Sequence, residues 1–173
     1  VDTSFSQVSL GAYKASTLML ISEELLQDSV FDLTTFVSQI FSRRLGELEE
    51  AAMIAGSGSG QPTGAVNGAS TGHTLATINT WTADDLLDFQ YSLKRQYRRN
   101  GSFIFNDASI KDIRKLQDAN DHWIWQPSMR DGEPDRLLGN PVYSSYDMAV
   151  PADDPSSKCG LFGDFRMAYY IAD

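Results

Sequence analysis

The chain holds a single cysteine, Cys159, so no disulfide can form within it, and a reducing compartment is the simplest reading. Its two histidines, His73 and His122, stand far apart, and neither has a second nitrogen or sulfur ligand near it at metal spacing. No apolar run approaches the eighteen or more residues that a membrane-crossing helix needs. Positive charge is scarce too: 14 Lys and Arg against 23 Asp and Glu leave a net charge of −9. Binding that wraps nucleic acid is driven by neutralised phosphates and released counterions, so this acidity argues against a general nucleic-acid function. It leaves room for a local basic patch. Val1-Asp2-Thr3 has neither a basic n-region nor an apolar h-region, and there is no initiator methionine. That start reads as no visible signal peptide and as a processed product or a fragment.

What is present is ordinary globular material. The 173 residues, 42% apolar and 11% aromatic, suit one domain or two small lobes sharing a core. The stretch 31–55 organises the rest. Leu33, Val37, Ile40, Phe41, Leu45, Leu48, Ala52 and Ala55 recur at gaps of three and four, which draws one apolar stripe along a helix. Gln39, Ser42, Arg43, Glu49 and Glu50 lie on the opposite, wet face. Asp32 stands at the N-cap position and Gly56 just past the end. The pattern predicts one continuous spine helix over 32–55, roughly 35 Å long, with Gly46 too weak a breaker to interrupt it.

Before the spine, alternation and branched residues predict extended chain entering a strand near 13–21, and Ser22-Glu23-Glu24 caps a short helix. After the spine, glycine-rich 56–72 reads as a connecting loop. It has no lysine for a P-loop, and Thr63 stands where a dinucleotide fingerprint needs its third glycine. The Gly-x-Ser-x-Gly elbow is missing as well. Thr82 then caps a second helix, predicted over 82–99, with Asp84 and Asp85 in its first turn and Leu86, Phe89 or Gln90, Leu93 and Tyr97 as its stripe. A buried strand over 102–106 and a helix over 110–116 follow. Trp123–Trp125 reads as an edge strand, 126–136 as a polar loop, 137–143 as a strand, and 159–172 as alternating strands. Helices and strands alternate without strict βαβ periodicity, so the fold class is α+β.

Catalytic chemistry is hard to find. The spine acids Glu47, Glu49 and Glu50 suit a solvated helix face better than a carboxylate pair. Cys159 has no activating base beside it in sequence and reads as a small apolar residue at a strand start. One basic cluster stands out, Lys94, Arg95, Arg98 and Arg99. It is read either as favourable charge at the negative end of a helix or as a contact for an acidic patch on a neighbouring subunit.

The order of elements resembles the major capsid proteins of tailed phages with the HK97-type fold. The likeness rests on ISEELLQDSVFDL (21–33), LGELEEAAMIAGSGSGQPTG (45–64), SFIFNDASIKDIRKLQD (102–118), LLGNPVYSS (137–145) and GLFGDFRMAYYIAD (160–173). The resemblance implies a peripheral lobe from 1–64 and 160–173 and an axial lobe from 65–159, with the fold truncated at both ends. It implies a shell subunit without enzyme chemistry, cofactor, metal, small-molecule substrate or membrane. Such a subunit would meet copies of itself in pentamers and hexamers and touch packaged DNA weakly at most. The virion capsid would be its destination and the bacterial host cytoplasm its place of assembly. An encapsulin-type compartment shell is the alternative within the fold, and a small hydrolase using Cys159 or the spine acids the alternative outside it. In such shells axial-lobe loops meet around symmetry axes. The candidate here is 126–136, where Arg130 and Arg136 mix with Asp131, Glu133 and Asp135, and Met129 adds an apolar contact. An idle solvated loop is the competing reading. Truncation would leave an open sheet edge beside 13–21 or 167–172.

Overall fold

The computed structural model describes residues 11–24, 32–77, 79–118, 120–125, 135–151 and 157–171. The chain divides into two compact units, Val1–Gly64 and Ala65–Ile171.

The first unit is dominated by helix α1, Leu33–Ala55, continuous over 23 residues as its stripe predicts. Its first free backbone amides are met by the Asp32 carboxylate, which accepts from the Thr34 amide at 3.0 Å and the Thr35 amide at 3.3 Å. The Thr35 hydroxyl donates to the same group, and these bonds, the hydroxyl first, hold the carboxyl below the usual range. At the other end the Gly56 amide donates to the Ala52 carbonyl at 3.0 Å. Gly56 is buried where a Cβ would lie 2.2 Å from both the Ala52 and the Pro62 carbonyl oxygens, so only glycine lets the chain close this turn. Ser57 and Thr63 then bridge, and the Gly64 amide returns to the Gly56 carbonyl at 2.8 Å. The stripe is covered unevenly among the described residues. Leu33 is buried and Val37, Ile40, Phe41, Leu45 and Ala52 are half-buried, whereas Leu48 is exposed.

The strand expected over 13–21 does not form; the backbone there has no ladder partner among the described residues. Leu18 and Leu20 are exposed. Glu23 and Glu24 are helical, in line with the short helix predicted there, and residues 25–31 lie outside the described residues.

The second unit is built on a four-stranded sheet of order β2-β3-β1-β4, with β1 at Ser102–Phe105, β2 at Arg136–Leu137, β3 at Asn140–Ser144 and β4 at Gly160–Gly163. β1 runs parallel to β3 and antiparallel to β4, and β2 and β3 form a hairpin turned at Leu138-Gly139, both at positive φ. Phe103 and Phe105 alternate with half-buried neighbours and are fully buried. Phe103 stacks on Phe162 at 4.3 Å, and Trp81 meets the Phe105 ring edge-on at 5.3 Å.

The remaining elements are α2 at Ala65–Gly68, α3 at Ala83–Ser92, α4 at Arg95–Arg98, α5 at Asp107–Arg114 and α6 at Phe165–Ala168. Helix α2 adds a turn where a plain loop was expected. The Lys158 ammonium holds its C-terminal end, donating to the Val66 carbonyl at 2.9 Å and the Ala69 carbonyl at 2.5 Å. Helix α5 starts earlier than predicted because Asn106 caps it, accepting from the Ala108 amide at 3.0 Å. Ile110 and Ile113 are buried in the core with Trp81, Leu86, Phe103, Phe105, Trp125, Leu137 and Val142.

Gly160–Gly163, assigned to the peripheral lobe by resemblance, lies in the second unit, where each of its residues pairs with β1. Two further expectations are corrected. Past β4 the chain turns into α6, so among the described residues neither segment expected to carry an open sheet edge is a strand. Trp123–Trp125 makes one isolated bridge, Gln117 to Trp123, and then buries Trp125 in the core.

The start of α3 carries a buried charge. Asp85 and Thr82 form a reciprocal capping box, and Asp85 is only 2% exposed. Its carboxylate accepts from the Thr82 hydroxyl at 2.6 Å, His73 Nε2 at 2.8 Å, the Ala76 amide at 3.0 Å and the Thr82 amide at 3.2 Å. Burial pushes the carboxyl up, but the Thr82 hydroxyl, His73 and the two amides outweigh it and hold it below the usual range.

Two tests follow from these packings. Gly46→Ala meets nothing within 4 Å and should raise the stability of α1 by about 0.5–1 kcal/mol. Gly160→Ala places a Cβ 2.5 Å from the Phe105 ring and should lower the melting of the second unit, at a cost of about 1–3 kcal/mol. Thermal denaturation of the two variants should shift in opposite directions. Asp85→Asn should cost about 1–3 kcal/mol at pH 7. A carboxyl with a depressed folded-state value contributes its stability above its unfolded value of about 4 and loses it as pH falls. Urea unfolding should therefore show the gap between wild type and variant held from pH 7 to about pH 5 and closing as pH falls below about 4.

Candidate contact surfaces

Of the loop expected to mediate contacts, Met129, Arg130, Asp131 and Glu133 lie outside the described residues. Its two ends are anchored. Trp125 is buried and donates through Nε1 to the Arg136 carbonyl at 2.8 Å. The Asp135 carboxylate takes the Arg114 guanidinium, which also lies 5.1 Å from the Trp125 ring centre. Asp135, a sequence candidate for meeting a neighbour, is thus engaged within its own chain. Its carbonyl accepts the Val142 amide at 2.7 Å. Arg136 pairs with Pro141 in the hairpin and leaves its side chain exposed. The loop thus springs from two fixed points on the rim of the core.

The basic cluster sits differently from the sequence reading. The helix predicted over 82–99 breaks: α3 stops at Ser92, Leu93 and Lys94 are extended with ψ of 137° and 142°, and α4 takes one turn. The break has a tertiary cause. Asn140, buried in β3, donates to the Arg98 carbonyl at 3.1 Å and the Gly101 carbonyl at 2.7 Å. It accepts from Gln90 Nε2 at 2.7 Å, and Gln90 also reaches the Leu138 carbonyl at 3.1 Å. Asn140 thereby ties the chain on both sides of Leu93-Lys94 to the hairpin, and a straight helix could not make both connections. Lys94 consequently stands at the N-cap of α4, and Arg95 and Arg98 share its single turn. Lys94, Arg95 and Arg99 are exposed, and the Arg98 guanidinium lies 4.1 Å over the Tyr91 ring. A shallow recess opens among Arg95, Gln96, Arg98 and Arg99.

The candidate reactive groups are scattered by the fold. His73 is committed to Asp85, and His122 is exposed, its Nδ1 3.6 Å from Asp118. Among the described residues no three His, Cys, Asp or Glu side chains gather as metal ligands would. No described helix is long and apolar enough to cross a membrane. Cys159 packs half-buried against the core, and burial pushes its thiol up, away from the thiolate a nucleophile needs. Sequence reasoning missed the Gln90–Asn140 node and the His73–Asp85 contact. The only local signal was the Thr-x-x-Asp spacing of the capping box.

A sequence profile described as the phage capsid family matches residues 1–173. Among solved structures, the capsid of an empty GTA particle, computed with C5 symmetry, matches with a TM-score of 0.67 at 32% identity. That match covers 83% of this chain and 53% of the other. The capsid of a native GTA particle, also computed with C5 symmetry, matches with a TM-score of 0.67 at 30% identity over 79% of this chain and 55% of the other. The chain therefore spans about half the length of the capsid chains it resembles. No curated protein sequence matches it.

Thiol alkylation at pH 8 checks the reading of Cys159. The folded protein should react about tenfold or more slowly than the same chain in denaturant, since its thiolate is suppressed. Labelling faster than in the unfolded chain would mark an activated nucleophile.

Proposed function

The chain belongs to the phage capsid family, and from that membership we propose that it is a structural subunit of a phage or prophage capsid shell. The observation that carries this reading is the match over the whole chain, supported by a fold shared with GTA capsids at 32% and 30% identity. On this reading the protein works by meeting copies of itself around symmetry axes, in pentamers and hexamers, and carries out no catalysis. The first unit supplies the peripheral lobe and the second the axial lobe. The subunit assembles in the bacterial host cytoplasm and ends in the virion. With a net charge of −9 it touches packaged DNA weakly at most.

The loop between Trp125 and Arg136 is the first proposed contact. Trp125 and Asp135, which flank it, are pinned to the core. A ring of identical subunits needs such a two-signed surface, because each offers one side to the next. Exposed ion pairs contribute only ~0–1 kcal/mol each, so the loop sets register more than strength.

The intact capsid subunit, expressed alone and viewed by electron microscopy, should form closed particles or capsomer rings. Arg130→Glu combined with Asp131→Lys should reduce the yield or regularity of those particles without unfolding the subunit. Unassembled, well-folded wild-type subunit under all assembly conditions would remove the shell reading. Unchanged particles from the double variant would remove only the loop.

A further inference from the structure

The exposed side of α3 and α4 changes sign in order along the chain. Asp84, Leu87, Asp88 and Tyr91 come first, and Arg95, the half-buried Arg98 and Arg99 close the strip. Spacings of three and four place Asp84, Leu87, Asp88 and Tyr91 on one helical face. Asp85, Leu86 and Gln90 face the other way and are buried. Leu87 is 44% and Tyr91 67% exposed, large for side chains on a packed helix. Arg98 stacks on Tyr91 and joins the apolar middle to the basic end. Among the described residues Asp84, Asp88, Arg95 and Arg99 form no ion pair.

A strip that is acidic toward one end and basic at the other, with apolar side chains among them, is its own complement when turned end for end. We propose that it is a contact between two copies of this chain related by a two-fold rotation. Asp84 and Asp88 of each copy face Arg95 and Arg99 of the other, and Leu87 and Tyr91 of both copies pack near the centre. This is the isologous arrangement, in which one surface serves both sides. Tyrosine and arginine are the residues that dominate such contacts once desolvated. Duplex nucleic acid fits the strip poorly, since the two aspartates at its far end repel phosphate. The inference deepens the shell reading by naming one contact between subunits, but it does not require that a shell form.

Two short helices bury an area at the low end of specific interfaces, so the association is weak and salt-sensitive. Sedimentation equilibrium of the chain at low salt, from about 10 µM to 1 mM, should show a monomer–dimer equilibrium. Arg95→Glu with Arg99→Glu should weaken it at least about tenfold, as should Asp84→Lys with Asp88→Lys. The variant carrying all four reversals should dimerise again, because each end still meets its opposite. Tyr91→Ala should weaken the dimer without any change of charge. Circular dichroism confirms that each variant is folded. A wild type that stays monomeric throughout overturns the proposal, as does a folded four-fold variant that does not recover. If the arginine variant loses retention of duplex DNA while its mass is unchanged from wild type, the surface belongs to nucleic acid and the proposal falls. Particle formation by the intact subunit is read separately: shells from a strip variant leave the shell reading standing, and a dimerising chain without shells leaves the strip standing.

Discussion

Everything in the second unit depends on the two phenylalanines of β1. Phe103 and Phe105 point to the same side of a central strand, have no solvent exposure and stack at 5.6 Å. Burying each contributes about 1.5–3 kcal/mol relative to leaving it in water, more than any single ion pair at the surface. Their demand for cover dictates the neighbours. Gly160 lies opposite Phe105 because the ring occupies the space a Cβ would need, and Phe162 lies opposite Phe103 because a flat stack fits there. Trp81 approaches edge-on from just before α3, and Ile110 and Ile113 arrive on α5.

Around that apolar centre, side-chain amides do the connecting that regular structure does elsewhere. Asn106 caps α5 and also donates to the Tyr146 and Met148 carbonyls, at 3.1 and 2.8 Å, so one residue fixes a helix start and the exit from β3. Asn140 and Gln90 tie the helices to the hairpin, and Asp85 ties the segment before α3 to its first turn. Buried polar groups are costly unless fully paired, which is why these few residues determine backbone direction so firmly. The bend at Leu93-Lys94 is a consequence, and it carries the arginines around to the end of the α3 face.

A shell subunit has no need of a cleft that concentrates reactive groups. What it needs is a rigid body presenting surfaces of defined shape and charge. Among the described residues Trp123, Tyr143, Tyr146 and Leu138 join Tyr91 and Leu87 in exposing large apolar area. Exposed apolar side chains in such number mark surfaces with partners.

Much of this was legible in sequence wherever local physics decides. The stripe of α1, its Asp32 cap and its glycine exit are short-range features, and so are the alternation of β1 and the Thr82 cap of α3. The ordered resemblance of five stretches pointed to the capsid family before any coordinates. Tertiary structure alone decided the rest. Residues 13–21 have strand-forming composition but no described partner strand, so they stay irregular. YSLKRQYR, from Tyr91 to Arg98, has helical composition throughout, yet Asn140, 42 residues beyond Arg98, breaks it. Gly160–Gly163 joins β1 because of the ring at Phe105, and Asp135 turns inward because Arg114 waits there. Local propensity is written in neighbouring residues; which distant side chain satisfies a buried ring, carbonyl or charge is settled only when the chain has closed on itself.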